Sequence, residues 1–214
     1  MMIEYTKIET VYARDMHGTR KLIRGQFTNK AVEYLKDNEW EWTEKIDGTN
    51  IGVVWDGHEV SFQGRTEKTN IPKHLLKRLE EIFCGNAAEE IFEQKFGSRR
   101  AILFGEGYGM KIQKVGPLYI PDGVDFILFD VYLPDFDVWL SHDDMSGIAT
   151  AFGIGGVPVI MKGTISDAVE MVLAKPLSTI GTAPMEGLVG RPTVPIRDAE
   201  GKRLIVKIKA VDFE

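Results

Sequence analysis

The sequence predicts an α+β fold with mainly antiparallel sheets and interspersed helices. Residues 51–63 have the pattern of a β-hairpin, with two strand-like runs joined by the turn-forming pair Asp56-Gly57. Other segments place apolar residues at helical spacing, and the short apolar runs between them are typical of buried strands. With 214 residues and a hydrophobic fraction of 43%, the chain has the size of one domain with a sizeable core. We therefore expect a single domain over residues 1–214.

Strand patterns recur along most of the chain. Residues 39–43 alternate polar and aromatic side chains, as a half-buried strand does. Residues 101–104 and 126–133 are predominantly apolar, which is typical of strands buried on both faces. The remaining strands are predicted over residues 51–55, 58–63, 157–161, 186–190 and 203–209.

Helical spacing predicts four helices between these strands, over residues 72–83, 86–96, 143–152 and 166–173. Ser141 and Ser166 are the expected N-caps of the last two, because a serine hydroxyl can accept a hydrogen bond from the first turn. Gly97 and Gly153 are the expected stop signals of the second and third helices.

Composition excludes several classes of protein. The net charge of −6 means that any polynucleotide contact must use local basic patches rather than bulk charge. No apolar run has membrane-spanning length, and the N-terminus lacks a signal pattern, so we expect the protein to be located in the cytoplasm. The single cysteine, Cys84, rules out a disulfide within the chain, and we expect it to be a small buried hydrophobe. No Cys/His spacing suggests zinc.

The most informative segment is residues 44–50, Glu-Lys-Ile-Asp-Gly-Thr-Asn. Strand periodicity directs Lys45 and Asp47 to one face and Glu44 to the other. Gly48 lets the backbone approach a bulky group closely. A lysine held at a strand end beside a carboxylate and a glycine turn is a candidate covalent nucleophile. The alternative is a solvated Lys/Asp pair at a hairpin corner.

This segment resembles the first motif of the covalent nucleotidyltransferases, the superfamily of ATP-dependent polynucleotide ligases and mRNA capping enzymes. Segments that resemble the later motifs follow in the expected order: Gly64-Arg65-Thr66, Phe104-Gly105-Glu106-Gly107, Phe129-Asp130-Val131-Tyr132, Glu186-Gly187-Leu188-Val189 and Leu204-Ile205-Val206-Lys207-Ile208-Lys209. The resemblance implies the ligase-type adenylyltransferase fold. That fold is ATP-grasp-like and is shared by the catalytic domains of DNA ligases and mRNA capping enzymes.

The resemblance implies that Lys45 attacks the α-phosphate of a nucleotide. A lysine is a nucleophile only when neutral, and nearby cations favour that state by lowering its pKa. Lys207 and Lys209, on one face of the last strand, would supply those cations and neutralise charge on the phosphates. The alternative for these two lysines is a solvated strand face.

Two glutamates complete the implied phosphate and ribose chemistry. The resemblance assigns a ribose hydroxyl contact to Glu106. It assigns to Glu186 a role in binding a divalent metal near the phosphates. The expected cofactors are ATP, as AMP donor, and Mg²⁺ or Mn²⁺, which takes few carboxylates and keeps several waters. The alternative is that each glutamate caps a turn beside its glycine.

Further nucleotide contacts are implied by the same resemblance. Phe129 would be a stacking platform for the adenine, although aromatic residues in apolar runs are usually core. Asp130 would face the opposite side of that strand. Arg65 would contact the nucleotide and the acceptor 5′-phosphate, Asn50 the α-phosphate or ribose, and Glu44 the adenine side.

A basic stretch lies outside these motifs. Arg14, Arg20, Lys21 and Arg24, with His17 among them, occur in a segment rich in turn residues. A nucleic-acid contact and a mobile solvated loop are both compatible with this pattern.

Taken together, these features predict an ATP-dependent RNA ligase of the T4 RNA ligase 2-like type, a minimal form without an OB-fold or other C-terminal domain. It would join 5′-phosphate and 3′-hydroxyl RNA ends, as in RNA repair, through a lysyl-AMP intermediate and an adenylylated RNA 5′ end. We expect a monomer that does not bind membranes. The alternatives are a DNA nick ligase, a capping-type guanylyltransferase, or a non-catalytic nucleotide- or RNA-binding module.

Overall fold

The computed structural model describes residues 2–18, 20–66, 68–198 and 200–213. The chain divides into two compact units, each built from discontinuous segments. Unit I contains residues 1–5 and 47–157, and unit II contains residues 6–46 and 158–214. Single-domain organisation stays a prediction.

Antiparallel pairing dominates the described part of the chain, as the sequence predicts, although two short strands pair in parallel. The strands are β1 Glu9–Thr10, β2 Tyr12–Arg14, β3 Leu22–Phe27, β4 Trp40–Lys45, β5 Thr49–Trp55, β6 Val60–Gly64, β7 Ala101–Gly109, β8 Val124–Leu133, β9 Val138–Trp139, β10 Gly155–Gly156, β11 Val159–Gly163, β12 Gly187–Pro192 and β13 Val206–Lys209.

The four predicted helices are present, and the residues that the structure describes form two short helices besides. The α-helices are α1 Lys30–Tyr34, α2 Lys73–Phe83, α3 Asn86–Phe96, α4 Gly116–Tyr119, α5 His142–Ala151 and α6 Ile165–Leu173; Pro134–Phe136 and Ala210–Phe213 are 3₁₀ turns. Ser141 caps α5 as predicted, because its side chain accepts from the Asp144 N–H. The predicted cap of α6 is wrong. Thr164, not Ser166, occupies that position and forms a reciprocal capping box with Asp167.

Unit II is built on a five-stranded sheet in the order β1-β13-β12-β4-β11. Alternation along β4 directs Trp40 and Trp42 into the core, where they are fully buried. Helix α6 contributes Val169 and Val172 to the same core, and β12 contributes Leu188. This packing leaves the opposite face of the sheet for polar side chains.

Unit I is built on a second sheet in the order β10-β8-β7-β5-β6, and β9 pairs with the last two residues of β8. Its core includes a stack of Trp55 on Phe92, with ring centroids 5.1 Å apart. Phe83 of α2 contacts Phe92 of α3 and Phe126 of β8. The helices α2 and α3 therefore cover one face of this sheet.

Two further observations bear on the sequence predictions. The prediction that Cys84 is buried is wrong: its side chain is exposed, because the residue follows the last turn of α2 rather than facing its packed side. Among the described residues, no helix combines the length and apolar character that crossing a bilayer requires.

Candidate active site

Lys45, Glu186 and Lys209 form an ion-paired cluster in unit II. Lys45 is the last residue of β4 and lies opposite Gly187 of β12, which lies opposite Lys209 of β13. Directly opposed residues share a face of the sheet. The two lysines therefore flank β12 on the same face. The Glu186 carboxylate joins them, with Oε2 2.7 Å from the Lys45 Nζ and Oε1 2.8 Å from the Lys209 Nζ.

Lys207 adds a third positive charge to this face. It lies two residues before Lys209 and opposite Val189 of β12, so strand alternation gives it the same orientation. Lys45, Lys207, Lys209 and Glu186 together carry a net positive charge. The Lys45 and Lys209 side chains are only 25% and 29% exposed, which limits screening by water. Such a surface suits an anion with several oxygens, as a phosphate has.

Gly187 is required by the backbone geometry beside Glu186. Its φ is +156°, and a Cβ atom there would lie 1.9 Å from the carbonyl oxygen of Ile208. A side chain would therefore push β12 away from β13 at the point where Lys209 pairs. This close approach explains why a glycine follows Glu186 in the segment that resembles the fourth motif.

Glu44 points to the other face of β4 and is 2% exposed. One carboxylate oxygen accepts from the Ser178 hydroxyl at 2.5 Å. The other accepts from the Thr179 N–H at 3.0 Å and from the Thr179 hydroxyl. Glu44 therefore joins β4 to the segment that leads into Glu186. The sequence predicts an adenine-side contact for Glu44, and the described partners of its carboxylate are protein groups.

Asn50 and Glu106 lie opposite each other in unit I, on β5 and β7. Their side chains therefore share one face of that sheet, and both residues are half-buried. Gly48 lies just before β5, where a Cβ atom would be 2.3 Å from the Gly107 carbonyl oxygen. Close backbone approach, which the sequence predicts for Gly48, is thus made to the glycine that follows Glu106.

Phe129 lies at an irregularity in β8. Asp130 pairs with Phe104 and Leu128 with Gly105, so Phe129 is an extra residue, as in a β-bulge. Its ring meets the edge of Tyr5, 5.0 Å away, and the Tyr5 hydroxyl donates to Asp130 Oδ2 at 2.7 Å. Phe129 and Asp130, which are adjacent on the strand, therefore both contact Tyr5. The expectation that Asp130 faces away from Phe129 is wrong, because the bulge breaks the alternation.

Arg65 follows the last residue of β6 and is exposed. The predicted residues thus form two groups. Glu44, Lys45, Glu186, Lys207 and Lys209 belong to unit II, and Asn50, Arg65, Glu106 and Phe129 belong to unit I.

The sequence did not point to Ser178, Thr179 or Tyr5. Ser178 is 134 residues from its partner Glu44, and Tyr5 is 125 residues from Asp130. No local pattern connects such distant residues. One signal was available: a lone aspartate in the apolar strand 126–133 needs a hydrogen-bond donor, and a buried tyrosine is one.

The single carboxylate at the lysine cluster, Glu186, fits one kind of metal site. Within the described residues, no group of three or more His, Cys, Asp or Glu side chains could enclose a metal ion. Glu186 offers a single carboxylate, already shared by two ammonium groups. This donor set fits Mg²⁺ or Mn²⁺ held largely by phosphate oxygens and water.

A protein-family model described as RNA ligase matches residues 38–209. Among solved structures, a mutant of Naegleria gruberi RNA ligase with ATP and Mn superposes with a TM-score of 0.68 at 21% identity, over 99% of this chain and 57% of that one. Two further mutants of the same ligase, one apo and one with AMP and Mn, each give a TM-score of 0.65 at 22% and 24% identity. They cover 98% and 99% of this chain, and 56% and 57% of those chains.

These matches confirm the predicted ligase-type nucleotidyltransferase fold. The chain spans a little over half the length of the ligases that it matches, 57% for the first. No curated protein sequence matches it.

Proposed function

Because the chain belongs to the RNA ligase family, we propose that it is an ATP-dependent RNA ligase that works through a lysyl-AMP intermediate on Lys45. In the first step the lysine nitrogen forms a bond to the α-phosphorus of ATP, and the bond to pyrophosphate breaks. In the second, the 5′-phosphate of an RNA end displaces the lysine and takes the AMP. In the third, an RNA 3′-hydroxyl attacks that 5′-phosphate, AMP leaves, and a phosphodiester bond remains.

The observation that carries this proposal is the lysine cluster of unit II. Lys45 lies at a strand end with Lys209 held beside it through one carboxylate, 2.7 and 2.8 Å from the two ammonium nitrogens. Attack requires that Lys45 give up a proton. The Glu186 carboxylate lies within hydrogen-bonding distance of the Lys45 Nζ and would accept that proton. Lys207 and Lys209 would offset the charge that develops on the α-phosphate and on pyrophosphate.

We assign the remaining predicted residues to binding. In unit I, Glu106 would accept a hydrogen bond from a ribose hydroxyl, and Asn50 opposite it would contact the ribose or α-phosphate. Phe129 would stack on the adenine. The exposed Arg65 would contact the nucleotide and the acceptor 5′-phosphate.

Nucleotide and metal choice are supported by the matched ligases, which were solved with ATP or AMP and Mn. We propose ATP as the AMP donor and Mg²⁺ or Mn²⁺ as the cation, with Glu186 as its protein ligand. A divalent cation there would add positive charge against the phosphates. RNA ends with a 5′-phosphate and a 3′-hydroxyl are the proposed substrates.

The test is incubation of the purified chain with α-labelled ATP and Mg²⁺ or Mn²⁺, followed by denaturing electrophoresis. Label that stays with the protein, and that Lys45→Ala abolishes, would support the covalent step. Lys45→Arg is the matched control, because it keeps the charge but cannot lose its proton, and we expect no label.

Other outcomes point to the alternatives. Label from GTP in preference to ATP would favour a guanylyltransferase, and sealing of nicked DNA in preference to RNA would favour a DNA ligase. A folded protein that takes no label from either nucleotide would favour a non-catalytic binding module.

A further inference from the structure

The hairpin formed by β2 and β3 is held to unit II from one side. Tyr12 pairs with Phe27, and their rings are 5.2 Å apart. Tyr12 is buried in the core of unit II, and Phe27 and Leu22 pack against that core. Residues 23–26 between them are exposed. The hairpin is therefore anchored by its two ends in the core of unit II, and most of its second strand is exposed to solvent.

Arg14 fixes the turn of this hairpin. Its guanidinium donates to Asp212 Oδ1 at 2.5 Å and to the Arg20 carbonyl at 3.2 Å. Asp212 is buried, in the 3₁₀ turn after β13. Because Arg14 bridges these two groups, its own charge serves the local structure.

Three other cations, Arg20, Lys21 and Arg24, are exposed on the turn and the second strand. The segment 14–24 contains four basic residues and one acidic residue, a net charge of +3 in a chain whose net charge is −6. Arg24 also acts locally: burial raises the pKa of Tyr12, and the charge of Arg24 partly opposes that increase. Positive charge is thus concentrated on one projecting hairpin of an acidic protein.

We propose that Arg20, Lys21 and Arg24 form a contact surface for the phosphate backbone of RNA. Lys21 immediately precedes β3 and Arg24 is the third residue of that strand, so about 10 Å of extended chain separates these two cations, enough to face two neighbouring phosphates. The three cations lie on an exposed turn and strand, which suits a repeated anion rather than a small molecule. Such contacts position a polynucleotide without reading its sequence. The identity of the polymer rests on the proposed RNA ligase function.

The experiment compares two variants with equal net charge. In the first, Arg20, Lys21 and Arg24 become alanine; in the second, the exposed cations Lys77, Lys95 and Arg99 of unit I become alanine. Fluorescence anisotropy would measure the Kd for a single-stranded RNA labelled at its 3′ end, at several salt concentrations. AMP attachment from ATP alone, without RNA, would be measured in parallel.

We expect the hairpin variant to lose about tenfold or more in RNA affinity, and the slope of log K against log salt to become shallower by about 2, since each lost contact to a single strand removes about 0.7. The unit I variant should keep the parent slope. AMP attachment should be unchanged in both.

An unchanged slope in the hairpin variant, or equal losses in the two variants, would overturn the inference. So would a parent protein that takes AMP but binds no RNA, and the hairpin would then suit an acidic protein surface instead. Failure of the parent to take AMP would count against the proposed function, which separates the two outcomes.

Discussion

Replacing Glu44 by alanine is expected to destabilise unit II by about 2–4 kcal/mol. The carboxylate is almost fully buried and accepts three hydrogen bonds from Ser178 and Thr179. Hydrogen bonds to a charged group contribute about 1.5–3 kcal/mol each. The net loss is smaller than their sum, because the buried charge is removed as well. The two hydroxyls can also rotate to new partners, whereas the Thr179 N–H is fixed.

The assay is equilibrium unfolding in urea, followed by tryptophan fluorescence, to which Trp40 and Trp42 in the core of unit II contribute together with Trp55 and Trp139 of unit I. Glu44→Gln keeps the size of the side chain and one acceptor oxygen, so it should cost less than the alanine variant. The double variant Ser178→Ala with Thr179→Val removes the donors and leaves the carboxylate in place.

If the hydrogen bonds carry the effect, combining these donor substitutions with Glu44→Ala should cost clearly less than the sum of the separate losses. A Glu44→Ala variant within about 0.5 kcal/mol of the parent, or strict additivity in that cycle, would refute the reasoning.

Three further outcomes follow from the same structure. Lys209→Met should slow AMP attachment about 100-fold by removing a cation beside Lys45. The control Lys162→Met, at an exposed lysine of β11, should stay within about threefold of the parent rate. Equal rates of AMP attachment in the two variants would exclude a role for Lys209. Gly187→Ala should cost at least about 2 kcal/mol because its Cβ would meet a carbonyl oxygen at 1.9 Å, and Gly147→Ala in α5, where a Cβ meets nothing, should be neutral or stabilising in the same urea titration. Burial raises the pKa of Tyr108 to about 12. The neutral side chain should therefore contribute about 2–3 kcal/mol to the free energy of unfolding below pH 10, and this contribution should be lost as the pH rises towards 12. The check is a tyrosinate absorbance titration, and an identical titration curve near pH 12 for the parent and for Tyr108→Phe would contradict the prediction.

Much of the fold was predictable because its signals are local. The periodicity of residues 86–96 and the alternation of 39–43 each gave an element that the structure contains. The cap of α6 shows where the signal was misread. Thr164 and Ser166 are both cap residues, but only Thr164 has an acidic residue three positions later, and that reciprocal pattern decides the helix start.

The grouping of Lys45 with Glu186 and Lys209 was implied by the resemblance, which gives all three residues roles at the phosphates, and the structure places them at neighbouring strands. The environments of Glu44 and Phe129 do not follow from it. Glu44 is satisfied by groups 134 residues away, and the direction of Phe129 depends on a one-residue shift in strand pairing. Composition gives no indication of either. Contacts of this kind are therefore found only in the folded chain.

The interrupted path of the chain has a consequence for protein synthesis. Residue 46 ends one segment of unit II, and the chain returns to that unit only at residue 158. The ribosome therefore makes β4 long before β12 and β13, the strands that come to pair beside it. Lys45 and Glu186, 2.7 Å apart in the finished protein, are 141 residues apart along the chain. A nascent chain therefore carries Lys45, the proposed nucleophile, before Glu186 and Lys209 have been made, and we expect AMP attachment to begin only once β13 has left the ribosome.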